Sequence, residues 1–123
     1  MKKINFKFIV IFTISMVLAS FSFGQTKEKD IVLKLNNGNL EQYGNVGYKG
    51  SITSNVIDFD YNDNIIVVIK SNGSVQKFNW NAEYKGTITS DARKVKISGD
   101  MFIITKSEVT EKWSFDGTYK GTL

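Results

Sequence analysis

The chain has 123 residues, with 16 basic and 12 acidic side chains and a formal charge of +4. Cysteine, histidine and proline are absent. No disulfide can staple the fold, no histidine can act as base or metal ligand, and a Ser-His triad is excluded.

Met1, Lys2, Lys3 and Lys7 form a short basic start, and an apolar run over 8–19 follows. Ser20, Ser22 and Gly24 then supply small residues, the layout of a secretory signal peptide over 1–24 cut before Gln25. The apolar run is shorter than the roughly 20 residues that span a bilayer, so no stable membrane anchor is expected after cleavage. Three of the 16 basic residues lie in this leader, which leaves the rest of the chain 13 basic against 12 acidic groups, a net of +1. That balance gives no basic stripe for nucleic acid. About 100 residues without disulfides suit one domain, expected over 31–123.

Residues 25–30 read as a polar, fraying tail. Residues 31–35 read as a strand, broken by Asn36-Asn37-Gly38-Asn39, and the chain returns over 40–43. Asn-Gly is a strong hairpin signal because both residues tolerate positive φ. In residues 56–61, Ile57, Phe59 and Tyr61 alternate with Asp58 and Asp60, which predicts a half-exposed strand. After the turn over 62–64, residues 65–69 form an apolar run suited to burial on both faces. A second Asn-Gly turn at Asn72-Gly73 leads to a strand carrying Val75, Phe78 and Trp80. Residues 95–97, 101–105 and a segment with Val109, Trp113 and Phe115 repeat this order. Val109, Trp113 and Phe115 match Val75, Phe78 and Trp80 in that alignment. The Lys-bearing segments 94–97 and 111–113 would discourage edge pairing. No stretch after the leader carries a helical stripe.

The organising signal is a repeated phrase. Tyr48-Lys49-Gly50-Ser51-Ile52-Thr53-Ser54 returns as Tyr84-Lys85-Gly86-Thr87-Ile88-Thr89-Ser90, 36 positions on, and as Tyr119-Lys120-Gly121-Thr122-Leu123, 35 further. Such a period marks a repeat architecture. The chain therefore reads as an all-β antiparallel meander of about three copies, the first lacking its opening strand.

The best-spelled copy, residues 57–86, resembles a β-propeller blade of the NHL or a related kind. The likeness lies in its order: a strand ending in an Asp/Asn turn, an apolar strand, an Asn-Gly turn, an aromatic strand and a polar turn. Closed propellers use four to eight blades, and this chain holds under three. The resemblance implies a partial propeller, a ring completed by association of chains as a homo-oligomer, or a compact body with approximate threefold symmetry.

Asp58, Asp60 and Asn62 place oxygens at alternate positions, as calcium requires. The EF-hand glycine and glutamate positions are instead Asp63 and Ile69, so a strand face and turn are the favoured reading. Ser114-Phe115-Asp116-Gly117-Thr118 partly resembles the Asp-box of some propellers, a structural turn. The recurring aromatics first serve a core. Those that could form a binding surface are Trp80, Tyr84, Trp113 and Tyr119, with Trp80 and Tyr84 keeping an edge wet beside turns. Lys49, Lys85 and Lys120 hold one place in all three copies and could face an acidic glycan or partner. The expectation is a small exported, periplasmic or extracellular, non-enzymatic module that binds a protein or glycan without a cofactor. The competing expectations are a carboxylate-dependent glycoside hydrolase using Asp58 or Asp60, and a subunit completed by a partner chain.

Overall fold

The computed structural model describes residues 26–123. The expected leader and its cleavage site lie outside the described residues. Eleven antiparallel strands form three sheets, with no helix among the described residues. The first sheet is β1 (Val32–Asn36), β2 (Asn39–Gly44) and β3 (Gly47–Thr53). The second is β4 (Val56–Tyr61), β5 (Ile66–Lys70), β6 (Val75–Phe78) and β7 (Tyr84–Thr89). The third is β8 (Ala92–Ser98), β9 (Met101–Lys106), β10 (Thr110–Ser114) and β11 (Tyr119–Thr122). Each sheet is a simple meander, and none closes upon itself. Among the described residues, the first sheet lacks the strand that β4 and β8 provide in the others.

Turn chemistry explains the meanders. Asn37 and Gly38 both adopt positive φ, 52° and 84°, between the paired Asn36 and Asn39. This is the two-residue turn that matches strand twist. The second Asn-Gly works differently: Gly73 N–H donates to Lys70 O and Lys70 N–H to Ser74 O. Only Gly73 takes positive φ there, closing a three-residue loop. Ser114 to Thr118 repeats that loop with Gly117, and Asn79 to Glu83 repeats it with Ala82 at φ 66°.

The repeated Tyr-Lys-Gly phrase encodes a β-bulge. Tyr43 pairs with Tyr48 and Gln42 with Gly50, so Lys49 is the extra residue. Lys85 and Lys120 are extra in the same way between Phe78–Tyr84 and Lys77–Gly86, and between Trp113–Tyr119 and Lys112–Gly121. The glycine closing each bulge has φ of 138°, 126° or 116°, which explains why glycine stands there in every copy.

The sheets stack in chain order. Ile66 and Val68 of β5 join Leu33, Leu40, Ile52, Phe78 and Trp80 in a cluster between the first two sheets. Val67 and Ile69 turn the other way and pack with Val95, Phe102 and Ile104 of the third sheet. The four β5 residues are 0 % exposed, as the double-sided run predicted. In β9 only Phe102 and Ile104 are buried, while Met101, Ile103 and Thr105 are half-buried. That corrects the buried strand expected there: among the described residues, no sheet packs on the far side of the third. Matching lysines tie successive sheets, with Lys70 Nζ 2.8 Å from Thr53 Oγ1 and Lys106 Nζ 2.8 Å from Thr89 Oγ1.

Pairing corrects four further expectations. Thr110 pairs with Thr105 as Val75 pairs with Ile69, so Thr110 and not Val109 matches Val75. Residues 111–113 lie in β10, an interior strand, and guard no edge. Ile57 sits in an irregularity between Val56 and Asp58 and is exposed, leaving the face shared by Phe59 and Tyr61. The tail is held down at Lys27, whose N–H donates to Asp63 O at 2.7 Å.

Each corner between sheets turns on a left-handed residue, Asn55 or Asp91, seated against a hairpin glycine. A Cβ on Gly73 would lie 3.1 Å from Asp91 N, at a φ of 90°. Gly73→Ala therefore combines left-handed strain with backbone crowding. It is expected to cost about 2 kcal/mol in urea unfolding, and a loss below about 0.5 kcal/mol would refute this account of the corner.

Candidate functional site

The last strand of each sheet presents the same surface unit. Tyr48, Tyr84 and Tyr119 are exposed, although their recurrence made a core role the first expectation. Each stands edge-on to the aromatic residue opposite it. The Tyr48–Tyr43, Tyr84–Phe78 and Tyr119–Trp113 centroids lie 5.8, 5.9 and 5.3 Å apart, at 64°, 67° and 65°. The bulge produces this contact, because it brings the two aromatic residues into direct register across the strands. The Tyr84 and Tyr119 hydroxyls also meet Thr87 Oγ1 at 2.5 Å and Thr122 Oγ1 at 2.7 Å. Thr87 and Thr122 belong to the repeated phrase but were not singled out from it, yet they help fix the rings.

Lys49, Lys85 and Lys120 follow these tyrosines in the bulges. Lys49 Nζ lies 3.0 Å from Glu28 Oε2, and Lys85 Nζ lies 3.9 Å from Glu83 Oε1. Both pairs are well exposed, so solvent screens them and a ligand can compete for the ammonium groups. Trp113 is half-buried, supports Tyr119 and donates its Nε1–H to Glu111 at 3.0 Å.

Trp80 lies elsewhere. It is 7 % exposed, packs edge-on against Tyr61 and donates Nε1–H to Asn62 O at 3.0 Å. The wet edge expected beside its turn is absent, because the first sheet and the 62–65 turn close over the indole. A cleft of about 300 Å³ does bring Trp80 and Lys49 together, with Gln42, Glu28 and Asn81 on its walls. Tyr84, Trp113 and Tyr119 lie outside that cleft. A second, more open hollow of about 520 Å³ includes Asp91 and Arg93, which no sequence motif singled out.

Asp58 and Asp60 have a structural task. Asp58 Oδ2 accepts the Val95 N–H at 3.0 Å, and Asp60 Oδ2 accepts the Ile97 N–H at 2.7 Å. Two carboxylates thus bind the open edge of β8 and join the second sheet to the third. Asn62 Oδ1 accepts the N–H groups of Asn64 and Ile65, at 2.8 and 2.9 Å, and shapes the 62–65 turn. Each side chain that suggested calcium accepts at least one backbone N–H. Among the described residues, no three acidic side chains gather as a metal site.

In the partial Asp-box, Thr118 N–H donates to Ser114 Oγ and to Asp116 Oδ1, both at 3.1 Å. The Ser114 hydroxyl, followed by Thr118, holds the Asp116 carboxyl below its usual range. On β2, Tyr43 donates to Glu41 at 2.8 Å, and that bond to a carboxylate raises the phenol above its usual range.

No protein-family model matches the chain, and no curated protein is similar to it.

Proposed function

We propose that this chain is an exported, non-enzymatic binding module, built as a partial propeller of three blade-like sheets, and that it binds an acidic glycan. The supporting observation is the threefold unit of an exposed tyrosine, an edge-on aromatic brace and a bulge lysine, at one register position in each sheet. A repeating ligand suits a repeating surface. Tyrosine rings offer stacking faces to sugars, and the lysines offer charge to carboxylate or sulfate groups. Braced rings lose little side-chain freedom on binding, which favours affinity.

The end faces support a self-contained arc over a ring built from several copies. Lys34 covers the outer face of the first sheet, its Nζ 5.1 Å from the centre of the Tyr43 ring. On the third sheet, Lys94 and Lys96 occupy the places that Asp58 and Asp60 hold in the second, and Lys112 lies opposite Ile103. Terminal repeats of stacked architectures carry such polar outer faces. The glycosidase reading has no comparable support, because Asp58 and Asp60 are engaged by the β8 backbone.

The test uses polygalacturonate oligomers and neutral dextran as paired probes. Replacing Tyr84 and Tyr119 with alanine should lower polygalacturonate affinity roughly tenfold or more, while the fold survives. Equal retention of dextran, or unchanged binding by the double variant, would remove the acidic-glycan reading.

A further inference from the structure

The second and third sheets each begin with a strand that the first sheet does not have among the described residues. Pairing aligns Val32 with Ile66, Leu33 with Val67, Lys34 with Val68 and Leu35 with Ile69. β1 is therefore the counterpart of β5, and its free edge corresponds to the edge that β5 gives to β4. The consequence shows in burial. Leu35, which shares the inward face of Leu33, is 40 % exposed, whereas its counterpart Ile69 is 0 % exposed. Among the described residues, the tail does not fill this place. It crosses the sheet ends instead, where Lys27 bonds Asp63 and Glu28 meets Lys49 on β3.

We infer that the free edge of β1 is a strand-acceptor site for an extended segment of a separate polypeptide with alternating apolar and acidic residues. The protein itself contains the template for this segment. β4 pairs antiparallel to β5, with Tyr61 opposite Ile66, Asp60 opposite Val67, Phe59 opposite Val68 and Asp58 opposite Ile69. Its two carboxylates then reach the next sheet and accept the N–H groups of Val95 and Ile97. Phe59 and Tyr61 hold in β4 the positions that Val95 and Ile97 hold in β8. A strand added beside β1 would present its acidic residues to those two N–H groups. Tyr61 N–H already meets Asp60 Oδ1 at 2.9 Å, so an acidic residue of the added strand would share that donor with Asp60. The backbone ladder supplies general affinity, and the acidic spacing supplies selectivity.

The inference is independent of the tyrosine surface. Its probe is a labelled nine-residue peptide with the sequence of residues 54–62, SNVIDFDYN, added to the exported, processed protein. Hydrogen exchange should show saturable binding with roughly tenfold slower exchange of β1 amides. The same peptide carrying Asp58→Lys and Asp60→Lys should bind roughly tenfold more weakly, and N-methylation of its β1-facing amides should abolish binding. Absence of binding would overturn the inference. So would protection confined to β5, equal affinity for the charge-reversed peptide, or β1 amides already protected in the free protein by the chain's own residues.

Discussion

Replacing Asp58 and Asp60 together by alanine is expected to destabilise the protein by roughly 3–5 kcal/mol, because each carboxylate makes a charge-assisted bond worth about 1.5–3 kcal/mol. Both bonds run to β8 backbone N–H groups in a partly buried seam. The Val95 and Ile97 amides would lose their acceptors while remaining screened from water by the adjoining sheets. Asparagine at both positions keeps an acceptor oxygen and removes the charge, so it should cost roughly half as much. Lysine at both positions should cost most, since it sets cations against amide donors. Urea unfolding of the three variants measures the order. A loss under about 1 kcal/mol for the alanine pair would mean that the seam is held by apolar packing alone.

Trp80→Ala should also cost about 3–5 kcal/mol, the range for deleting a large buried aromatic side chain. The indole fills the cluster between the first two sheets and satisfies Asn62 O. Trp80→Phe refills most of the space but abandons that carbonyl, for an expected loss of about 1–2 kcal/mol. Tyr84→Ala removes an exposed ring and should cost less than about 1.5 kcal/mol, mostly its edge-on contact with Phe78. Thermal melts read beside glycan retention separate the roles. A Trp80→Ala protein that melts normally yet fails to bind would return Trp80 to the ligand surface.

Much of the local structure was legible in the sequence. The Asn-Gly turns and the apolar run at 65–69 have direct counterparts in the fold. The Tyr-Lys-Gly phrase was recognisable as a repeat, although its meaning as a bulge required the pairing register. Trp80 and Tyr84 show where such reading fails. Both are aromatic and both lie beside the same turn, yet one is buried and the other exposed. The difference comes from the first sheet, whose Leu33, Leu40 and Ile52 join Trp80 in one cluster that does not include Tyr84. Residues 101–105 fail for the converse reason: their apolar spelling matches residues 65–69, but among the described residues no fourth sheet lies beyond them.

The sequence by itself determined the strand class, the order of turns and the glycines at positive φ, because these depend on residues within a few positions of one another. The tertiary structure decided which face of each strand is dry and what the acidic pair at Asp58 and Asp60 does. It also decided that the tyrosines stand outside. Those outcomes depend on partners set about one repeat apart along the chain, such as Asp58 and Val95 at a separation of 37 residues. A strand's alternation defines two faces, but only the neighbouring sheet determines which of them loses its water.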